Sequence, residues 1–490
     1  MSWQLPPDTP EQALITQYKG RRLVVKAYAG TGKTTTLVKF SLNNPGERIL
    51  YLAFNRAIRD EAISKFPRNV ECKTSHQLAY AAIGRQYAHK LTNNLRLTDI
   101  ANALPSPNWT MARDVMAALN AFITSAEQRI LDCHFPQKEN EPQSRTRNRV
   151  MYQARVLDAA QMIWQRMTDL EDEFPATHDT YLKLYQLSLP DLSRRYSIIL
   201  FDEAQDSNPV TNHIVLQQNC KVIFVGDDHQ QIYRFRGASN AMKTSMLDKA
   251  DTLYLTHSFR FGPQVAMVAN ALLMLKQETR PVIGKGAEGQ VLRKLPPNTK
   301  QFTALARTVM GVIGIAFSAA LSGRSVFWVG GIKAYQLNEL EDLFWFARRE
   351  PQNVRNKKIL KEYQSFEEYE EIAKATKDPE MLRAIALLET YDDIPHMIGM
   401  IRQHTVNLEQ NADIIVSTAH RCKGLEWQSV VLVDDYPDIF DPDMAHDARE
   451  DEINLLYVAA TRALQVLIIN TALELVLQYA KGLAYKQAQQ

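Results

Sequence analysis

Residues 23–40 constrain the fold more than any other stretch of the chain. An apolar run, Leu23-Val24-Val25, gives way to Ala27-Tyr28-Ala29-Gly30-Thr31-Gly32-Lys33-Thr34-Thr35, and Leu37-Val38-Lys39-Phe40 follows. The order reads as strand, tight glycine turn and helix. Such a turn aims backbone N–H groups and a helix N-terminus at one small volume, which suits a phosphate. Lys33 can then reach the outer phosphates of a nucleotide, and the Thr34 hydroxyl can hold Mg²⁺. Ala27 stands where the usual pattern opens with glycine.

Two further apolar runs end in polar groups. Ser197-Ile198-Ile199-Leu200-Phe201 leads into Asp202-Glu203-Ala204-Gln205-Asp206. This predicts a buried parallel strand that delivers carboxylates at its carboxyl end. Asp202 is the partner expected for the Mg²⁺ held by Thr34, and Glu203 is placed to orient and deprotonate an attacking water. Lys221-Val222-Ile223-Phe224-Val225 leads into Gly226-Asp227-Asp228-His229-Gln230-Gln231-Ile232-Tyr233-Arg234-Phe235-Arg236-Gly237-Ala238. The Gln230 amide can hydrogen-bond a γ-phosphate. Tyr233, Phe235 and Arg236 offer flat faces and charge to an unstacked base.

With these residues in view, the chain resembles the UvrD/Rep-type helicases of superfamily 1A. Pro10-Glu11-Gln12 resembles that family's adenine-reading segment, with Gln12 the reader. Leu50 to Ala57, with Phe54 and Asn55, and Lys73 to Ala79, with His76, resemble its motifs that contact single-stranded DNA. Ser258-Phe259-Arg260 matches the segment in which an aromatic ring stacks on adenine and an arginine reaches the γ-phosphate. Ser417 to Trp427 matches the motif that touches DNA through Thr418 and His420 and the ribose through Glu426. Leu456 to Ala463 matches the last motif, with Arg462 the second arginine finger. The motifs stand in the family's order. The tract Gly226 to Ala238, Val433-Asp434-Asp435-Tyr436 and Glu452 to Tyr457 are most similar to the helicase core of the F-box DNA helicases. No F-box precedes Gln12 in this sequence, so the ubiquitin-ligase side of that family is not carried over.

The resemblance implies a motor. It implies that Arg260 and Arg462 come from different recA-like lobes and face ATP held on the first. An arginine on a transferring phosphate is worth roughly 10³ to 10⁵ in rate where measured. It also makes the closed form depend on the γ-phosphate.

Composition adds limits. The net charge of +2 over 490 residues gives no global basic field, so a DNA track must be local. Cys72, Cys133, Cys220 and Cys422 show no close spacing, which fits a reducing cytosol better than a disulfide or zinc framework. No signal peptide is read at the N-terminus. The apolar run Val309 to Phe317 is too short for a bilayer, which needs about 20 residues, and predicts a helix buried on the second sheet.

The expected architecture is α/β: two recA-like P-loop lobes with parallel sheets, each interrupted by a mainly helical insert. The first lobe is expected over 1–90 and 193–268, with an insert over 91–192. The second lobe is expected over 269–332 and 408–490, with a short insert over 333–407 whose mixed-charge helices cover a small core. Phe302 to Ala306 and Ser325 to Val329 are second-lobe strand candidates, and Leu473 to Leu477 reads as a closing helix with no nuclease domain after it. The polar stretch 136–147 reads as a loop. Its Arg145 and Arg147, with Arg149, suit a solvated loop better than a duplex contact. The reading is an ATP- and Mg²⁺-dependent single-stranded DNA translocase and helicase in the cytoplasm, nucleoid-associated if bacterial. The 3′ to 5′ direction comes from the resemblance alone. A protein-stripping translocase with weak unwinding, and a DNA-gated ATPase switch, are the alternatives. Single-stranded DNA and single/double-strand junctions are the expected partners, and no membrane is.

Overall fold

The computed structural model describes residues 6–105, 108–136, 147–234, 237–376 and 378–488. The chain divides into two compact units, Met1–Ala27 with Lys33–Leu255, and Tyr28–Gly32 with Thr256–Gln490. Each is built on a six-stranded parallel sheet, so the expected α/β class with two parallel sheets is what the chain adopts.

In the first unit the strands are β1 (Arg22–Ala27), β2 (Ile49–Ala53), β3 (Val70–Thr74), β4 (Ile198–Phe201), β5 (Lys221–Gly226) and β6 (Asp251–Leu255). Their order is β3-β2-β4-β5-β1-β6, every neighbour parallel. Successive side chains of a strand face opposite ways. Leu23, Val25, Ile198 and Leu200 therefore enter one apolar cluster, and Val24, Ile199 and Phe201 enter another. Covering both faces is why these strands read as unbroken apolar runs. Helices α1 (Pro10–Thr16), α2 (Lys33–Leu42), α3 (Arg56–Lys65) and α4 (Ser75–Ala82) follow or precede the early strands.

Between β3 and β4 lies a helical segment with α5 (Trp109–Thr124), α6 (Arg147–Thr168) and α7 (His178–Leu187). It has a core of its own, with Ile100, Val115, Leu119, Phe122, Ile163 and Trp164. Arg147 and Arg149 stand in the first turn of α6 and not in a loop. Arg145 lies outside the described residues.

The second sheet comprises β7 (Gln290–Leu292), β8 (Phe302–Ala306), β9 (Val326–Trp328), β10 (Ile414–Thr418), β11 (Trp427–Leu432) and β12 (Ala463–Ile468), in the order β7-β12-β11-β8-β10-β9. Its helices include α8 (Pro263–Leu275), α9 (Val309–Leu321), α10 (Leu337–Ala347), α11 (Phe366–Thr376), α12 (Pro379–Thr390), α13 (Ile394–His404), α14 (His446–Ala460) and α15 (Thr471–Ala488). The apolar run from Val309 forms α9, started by the Thr308 hydroxyl accepting from Gly311 N at 2.8 Å, and it is buried as its composition requires. No described helix is long and apolar enough to cross a membrane.

Arg260 and Arg462 both stand in the second unit, which resumes at Thr256. One feature differs from the sequence reading: residues 333–407 have no separate small core among the described residues. Leu340, Phe344, Ala384 and Ile398 join Ala304, Ile313, Phe317 and Val416 in one continuous cluster with the sheet. Charged residues on α11 mask this in the sequence, because they occupy the faces turned away from the cluster.

Candidate functional site

The first unit gathers its chemistry at the carboxyl ends of its strands. Lys33 opens α2, and its ammonium lies 2.9 Å from Glu203 Oε1, with both side chains only 15% exposed. Thr34 and Thr35 stand half-buried in the same first turn. Asp202, at the end of β4, is buried. Its Oδ2 accepts from the Tyr51 hydroxyl at 2.6 Å and its Oδ1 from Glu203 N at 2.9 Å. Burial, then the nearby Glu203 charge, raise the Asp202 pKa above the usual carboxylate value. Burial likewise pushes the Tyr51 phenol well up. Glu203 itself holds φ 52° and ψ 38°, a left-handed conformation that costs a non-glycine residue about 1–3 kcal/mol. The turn it makes aims the carboxylate back at Lys33.

Gln205 is the residue the sequence reading passed over. It is fully buried, donates from Nε2 to Glu203 Oε2 at 2.6 Å, and accepts Asp227 N at 3.1 Å. It thus ties the end of β4 to the end of β5. Gln230, expected at a γ-phosphate, is 4% exposed and donates to Asp227 Oδ2 at 2.6 Å. A polar amide two residues after a strand-end carboxylate was the available signal for Gln205. Nothing in the sequence marks Tyr51 except that a tyrosine in a buried strand needs a hydroxyl partner.

Gln12 lies in α1, where it closes a capping box. Its Oε1 accepts from Thr9 N at 3.1 Å, and Thr9 Oγ1 accepts from Gln12 N at 3.2 Å. One amide atom of the expected adenine reader is thereby held by the chain itself.

The expected DNA contacts of this unit follow the same strand ends. Phe54 is exposed just beyond β2, and its ring stacks near-parallel on Tyr233, with centroids 5.9 Å apart and planes 15° from one another. Asn55 caps α3 by accepting from Ile58 N at 2.9 Å. His76 Nε2 lies 2.9 Å from Asp179 Oδ1 on α7. Phe235 and Arg236 lie outside the described residues.

In the second unit the loop Tyr28–Gly32 lies against Ser258, Phe259 and Arg260. Gly30 holds φ 73°, and a Cβ there would come within 2.5 Å of Arg260 Cβ and 2.6 Å of Ser258 Oγ, so only glycine fits. Gly32 is also left-handed, at φ 78°. Phe259 N donates to Gly30 O at 2.8 Å, Ala29 N to the Tyr457 hydroxyl at 3.3 Å, and the Thr31 hydroxyl to Tyr28 O at 2.8 Å. The Phe259 ring is half exposed. Arg260 Nε donates to Glu426 Oε2 at 2.6 Å and Nη1 to Thr461 O at 3.4 Å. Arg462, 1% exposed, donates to Val458 O at 2.8 Å, Leu425 O at 3.2 Å and Thr461 Oγ1 at 3.2 Å. The two arginines therefore converge on Thr461, at the end of α14. Thr418 ends β10, buried, with its hydroxyl 3.4 Å from Arg421 N, and His420 is half-buried in the turn that follows.

Within the first unit the residues present fit a magnesium ion beside a phosphate: Lys33 supplies a cation, and the hydroxyl of Thr34 and the carboxylate of Asp202 are the hard oxygen donors that Mg²⁺ prefers.

The sequence model of the UvrD/REP helicase N-terminal domain matches residues 8–251, and that of the UvrD-like helicase C-terminal domain matches residues 413–469. The F-box DNA helicase 1 of Gallus gallus is 34% identical across 96% of this chain and 50% of its own length. The F-box DNA helicase protein 1 of Schizosaccharomyces pombe is 32% identical across 94% of this chain and 57% of its own. DNA helicase II of Escherichia coli is 29% identical over 31% of this chain and 21% of its own length. The chain thus spans about half the length of the two F-box relatives it matches.

Proposed function

Because the chain belongs to the UvrD/Rep helicase family, we propose that it is an ATP-dependent motor that steps along single-stranded DNA from 3′ to 5′ and separates duplex ahead of it. The observation that carries this reading is the constellation at the carboxyl ends of β1 and β4. Lys33, Glu203 and Asp202 stand there with the charge and burial that phosphate transfer needs.

In this reading the amides of residues 29–35 and Lys33 bind the phosphates. Thr34 and Asp202 hold Mg²⁺, which would neutralise developing charge on the phosphate oxygens. Glu203 takes the proton of the attacking water, and Gln205 keeps its carboxylate aimed. Gln230 senses the γ-phosphate through the end of β5. Gln12 and Phe259 take the adenine, and Glu426 the ribose. Arg260 and Arg462 stabilise the charge that develops at the γ-phosphate. For Arg260 to do so it must leave Glu426. Phe54, Asn55, His76, Tyr233, Phe235, Arg236, Thr418 and His420 form the DNA track. The stacked Phe54 and Tyr233 rings give such a track a sequence-tolerant platform. Residues 91–192 and 333–407 are inserts in the two recA-like lobes. Single-stranded DNA and its junctions with duplex are the proposed partners.

The test is strand separation on duplexes carrying a 3′ or a 5′ single-stranded tail, run beside displacement of a bound protein from single-stranded DNA. ATP-dependent unwinding from the 3′ tail is expected. Protein displacement without unwinding would favour a stripping translocase. DNA-stimulated hydrolysis with neither would favour an ATPase switch and remove the motor reading.

A further inference from the structure

Strand β2 reads Ile49-Leu50-Tyr51-Leu52-Ala53, and every one of these residues is buried. Its other members need only apolar neighbours. Tyr51 adds a hydroxyl, which in a buried strand must find a polar partner. The Tyr51 ring is locked in the core of the first unit among Ile49, Ala53, Ala62 and Leu200, with the Phe66 ring 4.6 Å away between centroids. The hydroxyl donates to Asp202 Oδ2 at 2.6 Å. Phenylalanine would fill the same space, so what distinguishes tyrosine at this position is the bond to Asp202.

The Asp202 carboxylate is held from two sides. Oδ2 accepts from the Tyr51 hydroxyl, and Oδ1 accepts from Glu203 N at 2.9 Å. The Asp202 amide in turn donates to Leu52 O at 3.3 Å, next to Tyr51 on β2. Both donors to the carboxylate are rigid, one being a backbone amide and the other a ring fixed by packing. Donors on both oxygens stop the group from turning about its Cβ–Cγ bond. A carboxylate oxygen has two lone pairs, so one remains on each oxygen, in a direction that the fold sets.

A fixed carboxylate matters unequally to different metal ions. Mg²⁺ demands near-ideal octahedral geometry at about 2.0–2.1 Å, whereas Ca²⁺ accepts a flexible shell of oxygens at about 2.3–2.6 Å. Groups that hold a metal-binding side chain in place are worth about 10- to 100-fold in metal affinity. Resting on the reading of Asp202 as a Mg²⁺ ligand, we propose that Tyr51 is a positioning residue. Its hydroxyl fixes the plane of the Asp202 carboxylate and so favours Mg²⁺ over Ca²⁺ at this site. It acts through Asp202 alone.

The experiment titrates the full chain, mixed with fluorescent N-methylanthraniloyl-ADP, with MgCl₂ and separately with CaCl₂, and reads nucleotide binding rather than turnover. Tyr51→Phe should raise the half-saturating Mg²⁺ concentration about tenfold or more, and that of Ca²⁺ by less than about threefold. Tyr51→Leu removes the hydroxyl with the ring and should shift the ratio of the two ions in the same direction. Melting curves accompany both variants, and an earlier melt is expected because Asp202 loses a buried donor. A hydroxyl that only stabilised the fold would lower the melting temperature and move both ions alike, or neither. That result in a folded variant would overturn the proposal, and so would tighter Mg²⁺ binding by Tyr51→Phe. Asp202→Asn checks the underlying reading separately. Lost Mg²⁺ dependence there, beside an unchanged ion ratio in Tyr51→Phe, would refute the role of Tyr51 alone. Parental Mg²⁺ dependence in Asp202→Asn would remove the metal reading on which that role rests.

Discussion

Replacing Gln205 by alanine should slow hydrolysis without loosening nucleotide binding. In the parent, Gln205 Nε2 donates to Glu203 Oε2 at 2.6 Å, and its Oε1 accepts from Asp227 N at 3.1 Å. A hydrogen bond to a charged group contributes about 1.5–3 kcal/mol. If that energy is spent on aiming Glu203 at the attacking water, its loss lowers kcat roughly 10- to 150-fold. None of the phosphate-cradle amides is touched, so the affinity for ATP should change little. Asp227 N would be left buried and unpaired, at a cost of about 1–3 kcal/mol, and the variant should melt earlier. Gln205→Glu keeps the acceptor for Asp227 N but sets a carboxylate against Glu203 and Asp206, so it should lose as much kcat with a smaller loss of stability. The assay is DNA-stimulated ATPase across ATP concentrations, beside fluorescent-nucleotide titration and a melting curve. A folded Gln205→Ala protein with parental kcat would refute the role given to Gln205. A fall confined to KM would place it in binding instead.

Three further outcomes follow from the proposed roles. Lys33→Ala and Glu203→Gln should both abolish DNA-stimulated turnover while Glu203→Gln still binds nucleotide, and normal hydrolysis in either would remove the assignment. Asp202 has its pKa raised by burial and by Glu203, so its contribution to stability is full below the unfolded value of about 3.9 and is lost as pH rises through the folded value. Metal-free Asp202→Asn should therefore melt above the parent at neutral pH, with the gap closing towards pH 4 and Mg²⁺-dependent turnover lost; a neutral-pH melting point at or below the parent's contradicts this. Tyr233→Ala, and separately Phe235→Ala, should weaken single-stranded DNA binding by roughly 1–3 kcal/mol at fixed salt with DNA-free ATPase unchanged, and unaltered DNA affinity in both would dismiss the stacking platform.

The strands were legible because both faces of each sheet are covered. Ile198 to Phe201 and Val222 to Val225 alternate between two cores, so every position is apolar and the polar residues that follow mark the strand ends. The glycine turn after β1 was legible because two left-handed positions and a close backbone approach admit little besides glycine. What stayed hidden depends on partners distant in sequence. The pairing of Arg260 with Glu426 spans 166 residues, and that of Tyr51 with Asp202 spans 151. No local pattern encodes either. Gln12 shows another limit: a motif position gives a residue's identity but not which of its atoms the capping of its own helix already uses.

The shared core of residues 333–407 bears on how this protein can be cut. An appendage with its own interior can be deleted, or can swing, without exposing what it leaves. Here Leu340, Phe344 and Ile398 are the far wall of the compartment that also holds Ile313 and Phe317, all at most 6% exposed. Excising the segment would turn that wall into bare hydrocarbon facing water. A shortened chain lacking 333–407 would then report on aggregation, and its loss of activity would say nothing about regulation by the excised part.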